Sequence, residues 1–200
     1  MADSESQAEG YGDVDLVAGE TVKMVAGSAL FAALAAALAQ VAVPMPGPLP
    51  PVTLQTTAVF LAGLVLGARW GGFAMLLYIA TGVAGAPVFA EGSAGLGTLV
   101  GASGGFIVGF LLAAVAIGAV VHRGLGTRSL AAVSVPTQVV AICLGIAIIY
   151  VVGTPYMAFV LDWSLGKAFT FMLPFLPGDL AEMAAVIGLV YAGELTELTG

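Results

Sequence analysis

A polytopic α-helical membrane protein is the fold class this sequence predicts, and three observations carry it. Of 200 residues, 60% are hydrophobic and only 8% are charged, against about 25% charged in a soluble domain. Mean hydropathy is +1.09. Uncharged runs cover 24–68, 70–90, 92–121 and 129–161, each long enough for the ~20 apolar residues that cross a bilayer core. The 28 glycines are costly in soluble helices but let membrane helices pack closely. This composition excludes a soluble enzyme, a disordered chain and a nucleic-acid binder. A single cysteine excludes a disulfide scaffold.

The net charge of −7 is concentrated at one end. Asp3, Glu5, Glu9, Asp13, Asp15 and Glu20 precede the first apolar run, while from Met24 onward six acids face four bases. Residues 1–21 therefore read as a solvated, disordered acidic tail. They lack the basic start and short apolar run of a secretory signal. Residues 22–200 read as one transmembrane domain.

Six spans are expected, near 23–43, 52–68, 71–87, 101–121, 129–152 and 177–194. The first uncharged run is divided by Pro44-Met45-Pro46-Gly47-Pro48-Leu49-Pro50-Pro51, which cannot be helix. Pro174 and Pro177 leave 168–176 as a short outer helix. A five-span alternative folds 52–68 and 71–87 as a re-entrant hairpin. With six spans, Lys23, Arg69, Arg123 and Arg128 lie on one side and only Lys167 on the other. That basic side, with both termini, is expected to be cytoplasmic in the cell membrane. The opposite side collects the irregular sequence: 44–51, 88–100 with Glu91, and 153–176. Irregular backbone at depth requires burial in protein or a water-lined cavity, as a small-solute capture site would provide.

Within span one, Ala29, Ala33 and Ala37 recur every four residues. Small residues at this spacing admit another helix, either within the chain or from a partner membrane protein. At the start of span two, Thr53 and Gln55 place uncharged donors and acceptors at the mouth; Thr53 also suits a helix cap. Gly82 through Ala90, then Glu91-Gly92-Ser93-Ala94-Gly95 and Gly101-Ala102-Ser103-Gly104-Gly105-Phe106, read as a tight loop over a pocket, or as a plain surface loop. Phe89, Phe106, Tyr78 and Trp163 are candidate apolar walls. Asp179 and Glu182, at i and i+3, share a helix face, and ionisable residues within a span mark function by default. The alternative has both in interfacial water. His122 is expected at the interface and Cys143 as a packed, inert thiol. No His, Cys or carboxylate cluster has metal spacing, so no cofactor is expected. No phosphate-binding loop or Ser-His-Asp set is present, so the chain is not expected to be an enzyme.

Pro51-Val52-Thr53-Leu54-Gln55-Thr56, the Gly82–Ala90 segment ending Gly-Ala-Pro-Val-Phe-Ala, the pair Gly104-Gly105 and Pro174-Phe175-Leu176-Pro177-Gly178-Asp179 together resemble the BioY family. These are biotin-binding S-components of energy-coupling factor transporters, and the resemblance covers most of 24–195. It implies a six-helix, high-affinity vitamin-capture subunit in membrane lipid. It also implies a transmembrane coupling protein and a pair of ABC ATPases, met through Ala29, Ala33 and Ala37. Two positions depart from the family pattern. Glu182 stands where members carry a lysine, and Gly101-Ala102-Ser103-Gly104-Gly105-Phe106 stands for Gly-Pro-Thr-Gly-Gly-Tyr. For biotin, Asp179 is expected to accept a charge-assisted bond from a ureido N–H, with Thr53 or Gln55 adding neutral bonds. Two ionised carboxylates facing one dry pocket repel, so Glu182 is expected to hold a proton and donate to the ureido carbonyl. Lys167 is expected to meet the ligand carboxylate. The alternatives are an S-component for another vitamin, a solitary small-solute carrier using Asp179 and Glu182, and an assembly subunit with no ligand.

Overall fold

The computed structural model describes residues 15–45 and 52–192. The start of the acidic tail, most of the proline-rich loop and Glu197 lie outside the described residues. Seven helices carry the fold: α1 (Asp15–Leu38), α2 (Gln55–Val83), α3 (Leu96–Val100), α4 (Gly104–His122), α5 (Val135–Val160), α6 (Leu165–Met172) and α7 (Leu176–Tyr191). Two short strands, β1 (Ala42–Val43) and β2 (Val52–Thr53), pair antiparallel and close the proline-rich loop. Among the described residues five helical segments are long and apolar enough to cross a membrane, the last running from α6 through α7. The protein is therefore a multi-pass membrane protein.

α2 covers most of the second and third expected spans, 52–68 and 71–87, in one helical segment that counts once among the five. At Gly67 the backbone turns to φ +75° and ψ −177°, a conformation open to glycine and strained for other residues. The helix folds back there. The Gln55 side-chain amide donates to the Tyr78 hydroxyl, and a Cβ on Gly71 would stand 2.7 Å from the Ala62 carbonyl oxygen. In a straight helix, residues 62 and 71 would be about 13 Å apart. The two arms, 55–66 and 68–83, thus lie side by side, and their turn meets His122 at the far end of α4.

His122 secures that turn. Its ring is buried within the protein rather than at the interface. Nε2 stands 2.8 Å from the Leu64 carbonyl oxygen, one of the last carbonyls of the first arm, which have no partner within it. Nδ1 accepts from the Arg128 amide at 2.9 Å, so Nε2 carries the hydrogen. Arg128 Nε donates to the Val121 carbonyl at 2.6 Å and covers the end of α4.

Several element ends differ from the sequence expectation. α1 starts at Asp15, inside the expected tail, and stops at Leu38, where Val41 and Val43 suit extended backbone before Pro44. α5 starts at Val135 and runs on through Pro155 to Val160; lost backbone bonds at an internal proline can be made up by neighbouring groups in a membrane bundle. The outer helix lies at Leu165–Met172, followed by a 3₁₀ turn over Leu173–Phe175. Cys143 is exposed on α5 rather than buried in the core, with its Sγ 3.8 Å from Met183 Sδ on α7. The core runs through α2, α4 and α5, with Tyr78, Phe60, Leu64, Met75, Ile117 and Ile142 among its largest fully buried side chains. α1 and α7 pack on its sides.

Candidate functional site

At the end of the bundle opposite the Gly67 turn, a cavity of about 460 Å³ opens between the helices. That volume lies in the ~300–1,000 Å³ range of small-molecule sites. The start of α2 gives it Gln55 and Thr56, and α4 gives Phe106, Ile107 and Phe110, with Ser103 just before it. α5 gives Ile149, Tyr150 and Met157, with Leu161 just past its end. The α6 region contributes Phe171, Met172 and Phe175, and α7 contributes Asp179. The 89–93 segment covers one side through Phe89, Ala90, Glu91 and Ser93.

That covering segment is held from below. The Phe89 ring meets Tyr78 edge-on at 5.4 Å between centroids, and a Cβ on Gly82 would run into it. Only glycine at position 82 lets this ring seat. Tyr78 OH donates to the Val88 carbonyl at 3.2 Å, and Gln40 Nε2 donates to the Phe89 carbonyl at 3.0 Å. Tyr78 is thus a support under Gln55 and Phe89, outside the wall itself.

Asp179 is 8% exposed and reaches the cavity. Tyr150 OH donates to its Oδ2 at 2.6 Å, and Thr56 OH lies 3.3 Å from its Oδ1. Hydroxyls hold this carboxylate in one orientation while leaving lone pairs for a ligand donor. Glu182, 6% exposed, takes neither of the expected positions. It is not among the residues lining the cavity, and it does not point to water. Its Oε2 accepts from Thr56 OH at 2.6 Å, Thr57 OH at 2.7 Å and the Thr57 amide at 2.6 Å. Oε1 has no partner.

The Thr57 amide explains that placement. It is one of the first N–H groups of α2, which have no partner within the helix. Leu54 precedes the helix and has no side chain to cap it, and Thr53, the expected cap, sits in β2. Glu182 reaches across from α7 and supplies the missing acceptor, with the anion at the positive end of the helix dipole.

The structure brings Thr53, Gln55, Phe89, Phe106 and Asp179 to one cavity. It does not bring Trp163 or Lys167 to the wall. Lys167 Nζ lies over the Trp163 ring at 3.9 Å, and Trp163 meets Phe171 edge-on, so the ammonium is separated from the wall by aromatic rings. Sequence reasoning missed Thr56 and Tyr150. Tyr150 carries a signal in retrospect, since a tyrosine hydroxyl in an apolar helix needs a partner. Among the described residues, no group of three or more His, Cys, Asp or Glu side chains could hold a metal ion.

Fold and cavity together define a multi-pass membrane helical bundle with a mostly apolar, small-molecule-sized cavity at one end. Comparison with known proteins narrows this. The BioY family model matches residues 9–196. The probable biotin transporter BioY of Lysinibacillus sphaericus is 37% identical over 170 residues, 84% of this chain and 81% of its own. The biotin transporter BioY of Rhodobacter capsulatus is 40% identical over 171 residues, 80% of this chain and 87% of its own. The crystal structure of the S-component for biotin from an ECF-type ABC transporter superposes with a TM-score of 0.75 at 23% identity. That match covers 90% of this chain and 96% of that one. This chain belongs to the BioY family.

Proposed function

We propose that the chain is the biotin-capture subunit of an ATP-driven vitamin importer in the cell membrane. The observation that carries this is the cavity itself: apolar and aromatic walls around one oriented, buried carboxylate, in a chain whose family relatives bear the name biotin transporter. Asp179 accepts a ureido N–H, and Thr53, Gln55 and Thr56 offer neutral bonds. Phe89, Phe106 and Phe171 enclose the fused rings. Glu182 and Tyr78 act from behind as supports. The chain itself binds and does not hydrolyse; a transmembrane coupling protein and a pair of ABC ATPases supply the work. Ala29, Ala33 and Ala37 on α1 are exposed, while Phe31 and Ala35 of the same helix are buried. The alanine stripe is thus left for a partner helix in the lipid. The basic end and both termini face the cytoplasm, and the cavity faces outward. Labelled biotin binding to the purified chain in detergent tests this, with saturable, tight binding expected. No saturable binding would refute it. Uptake that persists in cells lacking ABC ATPases would point instead to a solitary carrier.

A further inference from the structure

The cavity wall has an unbalanced charge. Among the described residues on it, two are acids, Asp179 and Glu91, and none is lysine, arginine or histidine. The proline-rich residues 46–51, beside β2, carry no charged side chain. Lys167, the one base outside the basic end, is exposed and stacked on Trp163. Besides the groups around Asp179, the wall's polar side chains include the hydroxyls of Ser93, Thr98 and Ser103. A hydroxyl serves an amide or an ester as readily as a carboxylate. An anion placed here would lose part of its water with no cation on the wall to compensate, beside two side chains of its own sign.

We propose that the cavity selects a ligand whose tail is uncharged, so that carboxamides and esters of biotin are bound at least as tightly as free biotin. The inference rests on the biotin reading above and names the substrate class of that site. Asp179 is occupied by the donor end of the ligand. The tail then lies against hydroxyls and apolar side chains, where an amide keeps its hydrogen bonds and carries no charge to desolvate.

The test is displacement of labelled biotin from the purified full-length chain in detergent by biotin, biotinamide and biotin methyl ester. The neutral compounds are expected to displace at the same or lower concentration. Tighter binding of the free acid overturns the proposal and leaves the biotin reading standing; amides at the start of α4 holding the carboxylate would give that result. Failure of all three compounds, and of labelled biotin itself, overturns both. A variant probes the cause. Glu91→Lys puts a cation on the wall and is expected to shift the ratio by about tenfold toward the free acid. An unshifted ratio overturns the electrostatic account.

Discussion

At the scale of single residues, two acids one helical turn apart have separate tasks. Asp179 sits on the cavity wall, oriented by Tyr150 and Thr56. A bond from a ligand N–H to an ionised carboxylate contributes about 1.5–3 kcal/mol. Asp179→Asn is therefore expected to weaken biotin binding by that amount, read as a shift in Kd on the purified chain. Unchanged affinity would remove Asp179 from the site. Glu182 instead caps α2 from a distance. Glu182→Ala leaves the Thr57 amide and two threonine hydroxyls without their acceptor, at a cost of about 1–3 kcal/mol for a buried donor left unmade. A lower Tm in detergent is the expected reading. Glu182→Gln keeps an oxygen acceptor for Thr57 but loses the charge at the helix end, about 0.3–1 kcal/mol, and puts amide N–H donors where Oε1 is buried without a partner. A Tm for Glu182→Ala equal to that of the parent would disprove the capping role. Sequence spacing put both acids on one face of a helix and could go no further. Which neighbour each meets depends on how α7 lies against α2 and α5. Thr56 stayed hidden for the same reason, because its two acceptors come from residues 123 and 126 positions further along the chain.

At the scale of elements, hydropathy and proline located the membrane helices well because those signals are local. The Gly67 turn was not readable as such. Leu66-Gly67-Ala68-Arg69 contains no proline and no polar run, and glycine is common throughout the chain. What fixes the reversal is tertiary: His122 taking the Leu64 carbonyl, and the second arm lying on the first. α1 poses the complementary case. Its alanine stripe was legible from spacing, but spacing could not say whether the stripe was used inside the chain. The structure leaves Ala29, Ala33 and Ala37 exposed. Small residues permit close helix approach, so Ala33→Trp is expected to abolish ATP-dependent biotin uptake. The same variant should bind biotin in detergent as the parent does, because position 33 lies on the outer face of α1. Uptake that survives the substitution would place the partner elsewhere. A loss of detergent binding along with uptake would mean the substitution had disturbed the fold.

At the scale of the whole molecule, charge and irregularity separate to opposite ends. Arg69, Arg123 and Arg128 gather around the Gly67 turn and the end of α4. Lys23 joins them because Ser28, one turn further along α1, hydrogen-bonds the Trp70 carbonyl at 3.1 Å. The cavity, Glu91, Asp162 and Lys167 occupy the other end. Sequence reasoning reached this polarity from loop charges alone, since each span simply reverses the chain; the cavity's shape needed residues from six helices at once and was beyond it. Orientation in the membrane follows from the positive-inside bias and is directly measurable. Cys143 is exposed, so it is first replaced by serine. Single cysteines are then introduced at Glu91, Asp162 and Arg123, each on exposed backbone at positive φ. A membrane-impermeant thiol reagent applied to intact cells is expected to label Glu91→Cys and Asp162→Cys and to miss Arg123→Cys. Arg123→Cys should react once the membrane is permeabilised, which shows that the thiol is available. The reverse pattern would turn the cavity toward the cytoplasm. A capture subunit must meet its vitamin outside, so that result would refute the import reading even if biotin binding in detergent were tight.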